Sequence, residues 1–378
     1  MKTKRHYHGD QPKLQRFPRE RIVPKGEEWP SEQVFDAAYS YVRGQIQFSR
    51  DWQPVVVTLW AMGTYLHQQF PCYGHLWLNS PTTHSGKSKL LNVLWTLCHK
   101  ATEPQLEPTS AVLFRFPSAI GGTLLIDEVD KLDPQKRSDV IAVLNQYHRN
   151  GSVMRAVRGR NQKFSLEKLP VYCPKTIAGI ESLPVTLQDR CIRIALHRKK
   201  QGEKVHRFMP EDFARQEPLR NQLDAWAVRK AFQVIRAYRD RKNLGVPQGI
   251  SDDRVRDILE PLFAVASVLP RWVKNKLAQG AIEIARGRKD EEAEENPVVA
   301  GIAILMEHFP KGEDVWKLRT ERACDLLGEI PGVEDRTLAQ TLLRKLGFRS
   351  RSCKFEKKVL RAYRIPKRRL ERLAARYS

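Results

Sequence analysis

Residues 75–91 read HLWLNSPTTHSGKSKLL, an apolar strand followed by a turn and the start of a helix. The turn ends in Gly86, Lys87 and Ser88. This tail is typical of a phosphate-binding loop, whose backbone N–H groups surround phosphate oxygens at a helix N-terminus. Pro81 replaces the loop's first glycine, so the match is partial. The alternative is an ordinary strand, turn and helix that contains Gly-Lys-Ser.

The loop predicts contacts to ATP and to a magnesium ion. Lys87 is expected at the outer phosphates, Ser88 is expected to bind Mg²⁺, and Gly86 allows the backbone to approach closely. The predicted nucleotide contacts in this loop are Thr83, His84, Ser85, Gly86, Lys87 and Ser88.

A second motif lies at residues 121–130, GGTLLIDEVD. Its apolar run is continuous, as in strands buried on both faces of a parallel sheet, and it ends in paired carboxylates. Because ligands bind beyond the carboxyl ends of such strands, Asp127 is predicted to bind Mg²⁺ and Glu128 to activate the attacking water. The alternative is a buried strand followed by a solvated acidic turn. Together, in this order and spacing, the two motifs predict a P-loop ATPase.

The charge of the chain favours a polyanionic partner. Its 378 residues include 66 Lys and Arg against 43 Asp and Glu, a formal net charge of +23. Such a positive field suits nucleic acid first and an acidic membrane surface second. The hydrophobic content of 41% is sufficient for the cores of about two or three domains.

The cysteines and the N-terminus bear on the cellular compartment. Six scattered cysteines form no Cys-x-x-Cys pair, and the charged N-terminus is not followed by an apolar stretch. No apolar run approaches the length of a membrane span. We therefore expect a reduced, cytoplasmic chain with no membrane partner.

A turn signal at residues 150–151 opens a predicted β-hairpin with a basic tip. If the hairpin projected into the channel of a ring, its cations would meet a phosphate backbone. These cations are Arg155, Arg158, Arg160 and Lys163. A solvated hairpin is the alternative.

Near the C-terminus, three short helices followed by strand-like stretches predict a winged helix, whose third helix usually enters a DNA groove. Residues 344–378 contain 14 Lys and Arg against 2 Asp and Glu. This density favours phosphate binding; the alternative is a wing that only packs against the ATPase. The predicted DNA contacts are Arg349, Arg351, Lys354, Lys357 and Lys358.

The motifs also occur in a characteristic order. Gly-Lys-Ser, Ile-Asp-Glu and the basic hairpin precede Pro-Lys-Thr-Ile-Ala-Gly at 174–179 and Leu-Pro-Val-Thr-Leu-Gln-Asp-Arg at 183–190. This order resembles the ATPase domain family found at the C-terminal end of phage and mobile-element primase-helicases, which is largely uncharacterised and similar to AAA+ enzymes. The resemblance covers residues 51–378. Pro81 and His84 depart from the small residues that are usual in such loops.

The resemblance implies ATP bound between the subunits of a homo-oligomer, with a hexameric ring as one form. Arg190, just before an apolar strand, would be an arginine finger on a neighbour's nucleotide; the alternative is a surface pair of Asp189 and Arg190. Arg254 begins a segment similar to the family's lid helix and would contact ATP from there. An exposed helix charge is the alternative for Arg254.

The expected fold class is α/β, a P-loop NTPase (AAA+-like) parallel sheet with a helical lid, plus a C-terminal winged-helix domain. The expected segments are a flexible basic arm (1–30), an N-terminal helical cap (31–70), a P-loop ATPase core (71–205), a helical lid (206–289), a linker (290–297) and a winged-helix-like DNA-binding domain (298–378).

The favoured function is an ATP-driven DNA motor, a helicase or replication protein of a mobile element or phage. One alternative is a non-motor initiator or regulator that binds DNA and uses ATP as an assembly switch. Another is a nucleic-acid-sensing defence ATPase, which would carry the same motifs.

Overall fold

Five parallel strands form the sheet that contains the strand of the quoted stretch. In the computed structural model, the described residues are 28–80, 85–106, 110–128, 140–158, 164–179, 183–199, 205–295, 297–330, 333, 335–355 and 358–377. The strands are β1 His75–Asn79, β2 Gln105–Leu106, β3 Leu124–Asp127, β4 Ser152–Arg158, β5 Phe164–Pro170, β6 Lys175–Gly179, β7 Cys191–Ala195, β8 Val315–Arg319, β9 Ser350–Phe355 and β10 Lys358–Pro366.

The helices connect and flank these strands. They are α1 Ser31–Gln45, α2 Gln53–Gly63, α3 Lys87–Leu97, α4 Ser110–Ala119, α5 (described over 140–144), α6 Val185–Gln188, α7 Asp212–Arg215, α8 Glu217–Arg239, α9 Asp253–Ala266, α10 Arg271–Glu295, α11 Pro297–Glu307, α12 Thr320–Leu327, α13 Arg336–Lys345 and α14 Lys367–Tyr377. A short 3₁₀ helix spans His67–Gln69.

The strand order of the sheet is β2-β3-β6-β1-β7, and every neighbouring pair is parallel. β1, β3 and β6 are buried along their whole length. Continuous apolar runs form such strands because both of their faces are covered. The predicted α/β class with a parallel sheet is confirmed.

One hydrophobic cluster joins the sheet to its neighbouring elements. Trp77 of β1, Ile126 of β3 and Ile177 of β6 share this cluster with Leu113 of α4 and Val143 of α5. The base of the β4–β5 hairpin packs against the same cluster. The hairpin is therefore anchored on the core that also holds the central strands in place.

Helices α1 and α2 lie within residues 31–70, where a helical cap was expected. Every residue of α2 is buried, because its sequence is apolar on all sides. The indole nitrogen of Trp60 donates to the carbonyl oxygen of Gly74 at 2.7 Å, which ties α2 to the residue before β1. α2 also packs against α1 and α9, and α8 packs against α1 and α9.

The chain divides into two compact units, the first ending at Ile284 and the second beginning at Ala285. The predicted linker at 290–297 is instead helical as far as Glu295, and α11 begins at Pro297. The charged run in this region is mostly Glu with Lys289 and Ala293, residue types that favour helix and extend α10.

The second unit has the element order α11, β8, α12, α13, β9, β10, α14. Its three strands form an antiparallel sheet in the order β8-β10-β9. A separate core fills this unit, with Leu305, Leu327, Leu343, Ile365 and Leu370 fully buried. The sequence predicted the three helices and the two later strands but missed β8 and α14.

Two further features concern the compartment and the membrane. All six cysteines are free thiols. Within the described part of the chain, no helix is both long enough and apolar enough to cross a membrane.

Candidate functional site

The carboxyl ends of β1, β6 and β3 lie side by side. Asn79 at the end of β1 pairs with Gly179 at the end of β6, and Ile126 of β3 pairs with Ile177. Asp127 therefore lies one residue short of the same edge. Because neighbouring strands lie about 4.8 Å apart, β1 and β3 are about 10 Å apart with β6 between them. The end of β1 and the carboxylates at the end of β3 share one edge of the sheet.

The turn after β1 ends in a left-handed residue. Gly86 has a φ of +94° and precedes Lys87, the first residue of α3. A Cβ built on Gly86 would meet Ile46 Cδ1 at 3.8 Å, an ordinary contact. The backbone conformation, rather than crowding, is thus what favours glycine at this position.

Three other residues of the predicted loop have different surroundings. Ser88 is exposed in the first turn of α3. Ser85 is buried, and its hydroxyl has no hydrogen-bond partner among the described residues. Thr83 and His84 lie outside the described residues, so their predicted contacts stay predictions.

The two predicted carboxylates differ in burial and backbone. Asp127 is 8% exposed, and its Oδ1 accepts a hydrogen bond from the backbone N–H of Glu128 at 2.9 Å. Glu128 has a φ of +52°, in the left-handed region. This conformation costs a non-glycine residue about 1–2 kcal/mol. Such strain is concentrated at functional sites, where it fixes the direction of a side chain.

The residues at this edge fit a magnesium ion that arrives with a nucleotide. The Ser88 hydroxyl and the Asp127 carboxylate are oxygen donors, which Mg²⁺ prefers. In the described part of the chain, no three His, Cys, Asp or Glu side chains are grouped as metal ligands. Mg²⁺ usually binds through one or two carboxylates together with substrate phosphates, so this small donor set suits it.

The same edge contains a polar contact that the sequence analysis missed. Asn79 at the end of β1 accepts a hydrogen bond from the guanidinium of Arg193 on β7 at 3.0 Å. That guanidinium lies over the Trp77 ring, 4.9 Å from its centroid. The sequence signal that could have revealed this contact is Arg193, a cation within the apolar run of β7. The contact fixes the last side chain before the loop.

Arg190 lies at the opposite, amino edge of the sheet. Its carbonyl oxygen accepts a hydrogen bond from the N–H of His75, the first residue of β1, at 2.9 Å. Its guanidinium lies 5.5 Å from the centroid of the Tyr147 ring and donates to the carbonyl of Thr186. A five-residue strand spans about 16 Å, so Arg190 is about that far along β1 from the start of the loop.

Arg254 lies at the amino edge as well, where it forms an ion pair with Asp189. Asp189 pairs with Arg254 rather than with Arg190, unlike the surface pair given as the alternative for Arg190. Arg254 is an exposed charge on α9, as its own alternative expects. The predicted contact of Arg254 with ATP stays a prediction.

Two buried bases complete the amino edge. Burial lowers the pKa of His75 well below its usual value, and nearby Lys175 lowers it further. Its Nε2 lies 2.9 Å from the carbonyl oxygen of Leu144. Burial also lowers the pKa of Lys175, whose ammonium donates to the carbonyls of Gln146 and Val171 at 3.0 and 3.1 Å. These contacts join the strand starts to the segments that precede them.

The predicted β-hairpin is present as antiparallel β4 and β5. Arg155 and Arg158 both lie on β4. Arg155 is directly opposite Glu167 in the register. Arg160 and Lys163 lie outside the described residues, and DNA contact by the hairpin stays a prediction.

In the second unit, the predicted DNA contacts are accessible. Arg349, Arg351, Lys354 and Lys358 are exposed, and Lys357 lies outside the described residues. Further exposed cations on α13 and α14, not singled out from the sequence, are Arg336, Arg344, Lys345, Lys367, Arg368, Arg369 and Arg372. Basic residues therefore extend over a surface wider than the wing strands.

Comparison with known proteins gives distant structural likenesses. No protein-family model and no curated protein matches this chain. It is similar to SCCmec type IV Cch, described as an active helicase, over 90% of this chain and 71% of the other, with 12% identity and a TM-score of 0.45.

Two other solved structures are similar to this chain. The apo NrS-1 C-terminal region matches over 90% of this chain and 77% of its own, with 12% identity and a TM-score of 0.45. JCV helicase matches over 73% of each chain, with 14% identity and a TM-score of 0.24. At such TM-scores these likenesses carry no argument about function.

Proposed function

We propose that this chain is a P-loop NTPase that hydrolyses ATP at the carboxyl edge of its parallel sheet. One observation carries the proposal: the start of α3, with Gly86 and Lys87, and the Asp127–Glu128 pair follow strands whose carboxyl ends share that edge. Phosphate loops and catalytic carboxylates meet in this way in open parallel sheets.

Each residue has a distinct role in this reaction. Lys87 neutralises charge on the outer phosphates, and the backbone around Gly86 donates to phosphate oxygens. Ser88 and Asp127 would hold Mg²⁺, which neutralises charge on the phosphates when it is bound. Glu128 takes a proton from the attacking water, and its strained backbone fixes the carboxylate for that task.

The proposed active form is a homo-oligomer of AAA+-like, ring-forming subunits. Arg190 is about 16 Å along β1 from the start of the loop, too far for a guanidinium to reach phosphates held by its own chain. From the amino edge it would act on the nucleotide of a neighbouring subunit, as an arginine finger does.

The proposed partner is DNA, bound through the second unit. A helix, a strand, two helices and a strand pair form the element order of winged-helix domains, in which the third helix enters the major groove. Here that helix is α13, with exposed Arg336, Arg344 and Lys345. Arg351 and Lys354 on the wing would contact the phosphate backbone.

The test is ATP hydrolysis by the purified protein with and without DNA. We expect Mg²⁺-dependent hydrolysis that DNA stimulates and that Lys87→Ala abolishes. Lys89→Ala is the matched control, because it removes a cation two residues further along α3. A rate that is indifferent to DNA and to the loss of Lys87 would contradict the proposal.

The favoured biological role is a helicase or replication protein of a mobile element or phage. A second candidate is an ATP-switched initiator, which is favoured by the concentration of basic residues in a separate compact unit. Strand-displacement assays distinguish the two. A motor unwinds duplex DNA, whereas a switch binds duplex and assembles without unwinding.

A further inference from the structure

The structure assigns Arg254 to the nucleotide site of the neighbouring subunit, where it would bind the nucleotide beside Arg190. Before the nucleotide binds, Arg254 forms an ion pair with Asp189. This inference rests on the proposed ATPase function. It deepens that function by naming a second residue that crosses between subunits and a carboxylate that regulates it.

Helix α9 fixes Arg254 at the amino edge. The Cys72 thiol donates to the carbonyl of Asp257 at 3.4 Å, and a Cβ on Gly74 would lie 2.6 Å from Ile258 Cβ. Residues 72–74 directly precede β1. The first turns of α9 are therefore packed against the starting end of β1, while the phosphate loop follows its far end.

Local bonds orient the first turn of α9. Asp252 caps the helix by accepting from the backbone N–H of Arg254 at 2.8 Å. The Arg254 guanidinium then reaches the carboxylate of Asp189, the residue next to Arg190. Arg254 therefore contacts the short segment between α6 and β7, which also contains Arg190.

The pair of Asp189 and Arg254 is accessible to a competitor. Their side chains are 29% and 57% exposed, respectively. Ion pairs with this exposure are weak, because water screens both charges. A polyphosphate with several negative charges and fork-shaped acceptors can draw Arg254 away from a single carboxylate.

Arg190 has capacity left for the same ligand. Its Nε is buried without a hydrogen-bond partner among the described residues, while its terminal nitrogen donates to the carbonyl of Thr186. A change of side-chain rotamer would expose this unsatisfied donor to an incoming phosphate oxygen. Arg190, just before β7, and Arg254, on α9, would share the charge of one triphosphate.

The test mixes two inactive variants. Lys87→Ala disables the phosphate loop of its own chain. Arg254→Ala removes the guanidinium that the chain supplies to its neighbour's nucleotide site. If Arg254 acts across the interface, random mixing in head-to-tail assemblies regenerates intact sites at roughly one in four positions. The equimolar mixture should then hydrolyse ATP at about one quarter of the wild-type rate.

The opposite result is equally clear. If Arg254 acts within its own chain or only stabilises it, the mixture has the average rate of the two variants and the inference is overturned. A full rate in Arg254→Ala alone overturns it as well. Arg254→Gln replaces Arg254→Ala if the latter fails to fold.

Matched mixtures serve as controls. Lys87→Ala with Arg190→Ala should recover activity, since Arg190 acts across the same interface. Lys87→Ala with Glu128→Gln should not, because both residues lie at the same carboxyl edge. A wild-type protein without Lys87-dependent hydrolysis contradicts the proposed function itself, whereas normal hydrolysis without recovery contradicts this inference alone.

Asp189 acts only by positioning Arg254, so its substitution should change KM rather than kcat. Asp189→Asn should lower KM for ATP about two- to fivefold at unchanged kcat, because the weak competitor for Arg254 is removed. A fall in kcat together with a lower melting temperature would show that the pair is merely structural and would contradict the regulatory role.

Discussion

The two edges of the parallel sheet carry different sets of charged residues. At the carboxyl edge, Asp127 and a strained Glu128 lie at the end of β3, and β1 ends at the same edge. At the amino edge lie Arg190 and Arg254, the latter paired with Asp189. Parallel strands separate these sets by their own length, about 16 Å. A chain built in this way can hold a nucleotide at one edge and offer cations to another copy from the other.

The amino edge is itself divided by burial. His75 and Lys175 are completely buried and bond backbone carbonyls, whereas the Arg254 side chain is 57% exposed. Buried bases fix the strand starts, and the exposed bases remain available to a ligand. This division separates cations that bond the backbone from those proposed to act on a neighbour's nucleotide.

The largest expected effect is at the carboxyl edge. Glu128→Gln should lower kcat for ATP hydrolysis about 10²- to 10⁴-fold, because the side chain no longer accepts a proton from water. Nucleotide binding should persist, and a fluorescent ATP analogue measures it. Glu103→Gln is the control, since Glu103 is exposed just before β2. Equal rates for both variants would remove Glu128 from the mechanism.

The buried part of the amino edge predicts a pH effect on stability. Because the folded pKa of His75 is lowered, the unfolded chain binds the extra proton below pH 6.5. Stability should fall by about 1.4 kcal/mol per pH unit below that value, until the folded pKa is reached. Urea unfolding of wild type and His75→Gln between pH 5 and 8 measures this difference. A pH-independent difference between the two would contradict the burial of a neutral His75.

In the second unit, we expect cations on the wing strands to contribute to DNA binding and a cation outside them not to. Replacing Arg351 and Lys354 by Gln should weaken DNA binding several-fold and reduce the salt slope by about 0.9 for each phosphate that is no longer neutralised. Lys311→Gln, in the turn before β8, should leave the DNA affinity and the salt slope unchanged. Fluorescence anisotropy across a salt series measures the slopes. An unchanged slope in the double variant would show that the wing packs against protein instead.

The smallest expected effects are the changes in stability on replacing either of two glycines by alanine. Gly86→Ala should lower stability by about 1 kcal/mol, because alanine is strained at a φ of +94° although space for its Cβ exists. Gly287→Ala, with open space inside α10, should raise stability by about 1 kcal/mol. Thermal unfolding of both variants measures the shifts. A rise in stability from Gly86→Ala would mean that the left-handed turn is absent.

The sequence was most informative where function depends on local order along the chain. Continuous apolar runs predicted β1 and β3, and the placement of Asp127 at a strand end followed from the rule for parallel sheets. The hairpin was predicted from its turn signal. These features require only neighbouring residues, which a single sequence displays directly.

Long-range pairing was beyond sequence reasoning. Asp189 and Arg254 are 65 residues apart, and Asn79 and Arg193 are 114 apart. Nothing in local spacing selects such partners, because they depend on how helices pack against the sheet. The positive φ of Glu128 was equally hidden, since glutamate rarely adopts it without tertiary support.

The most direct test is electron microscopy of the protein with a non-hydrolysable ATP analogue, Mg²⁺ and DNA. We predict triphosphate density between Lys87 and Asp127, with Mg²⁺ next to Ser88 and with Arg190 arriving from a neighbouring subunit. Nucleotide density at any other place, or Lys87 and Asp127 on different ligands, would contradict the assignment of the carboxyl edge.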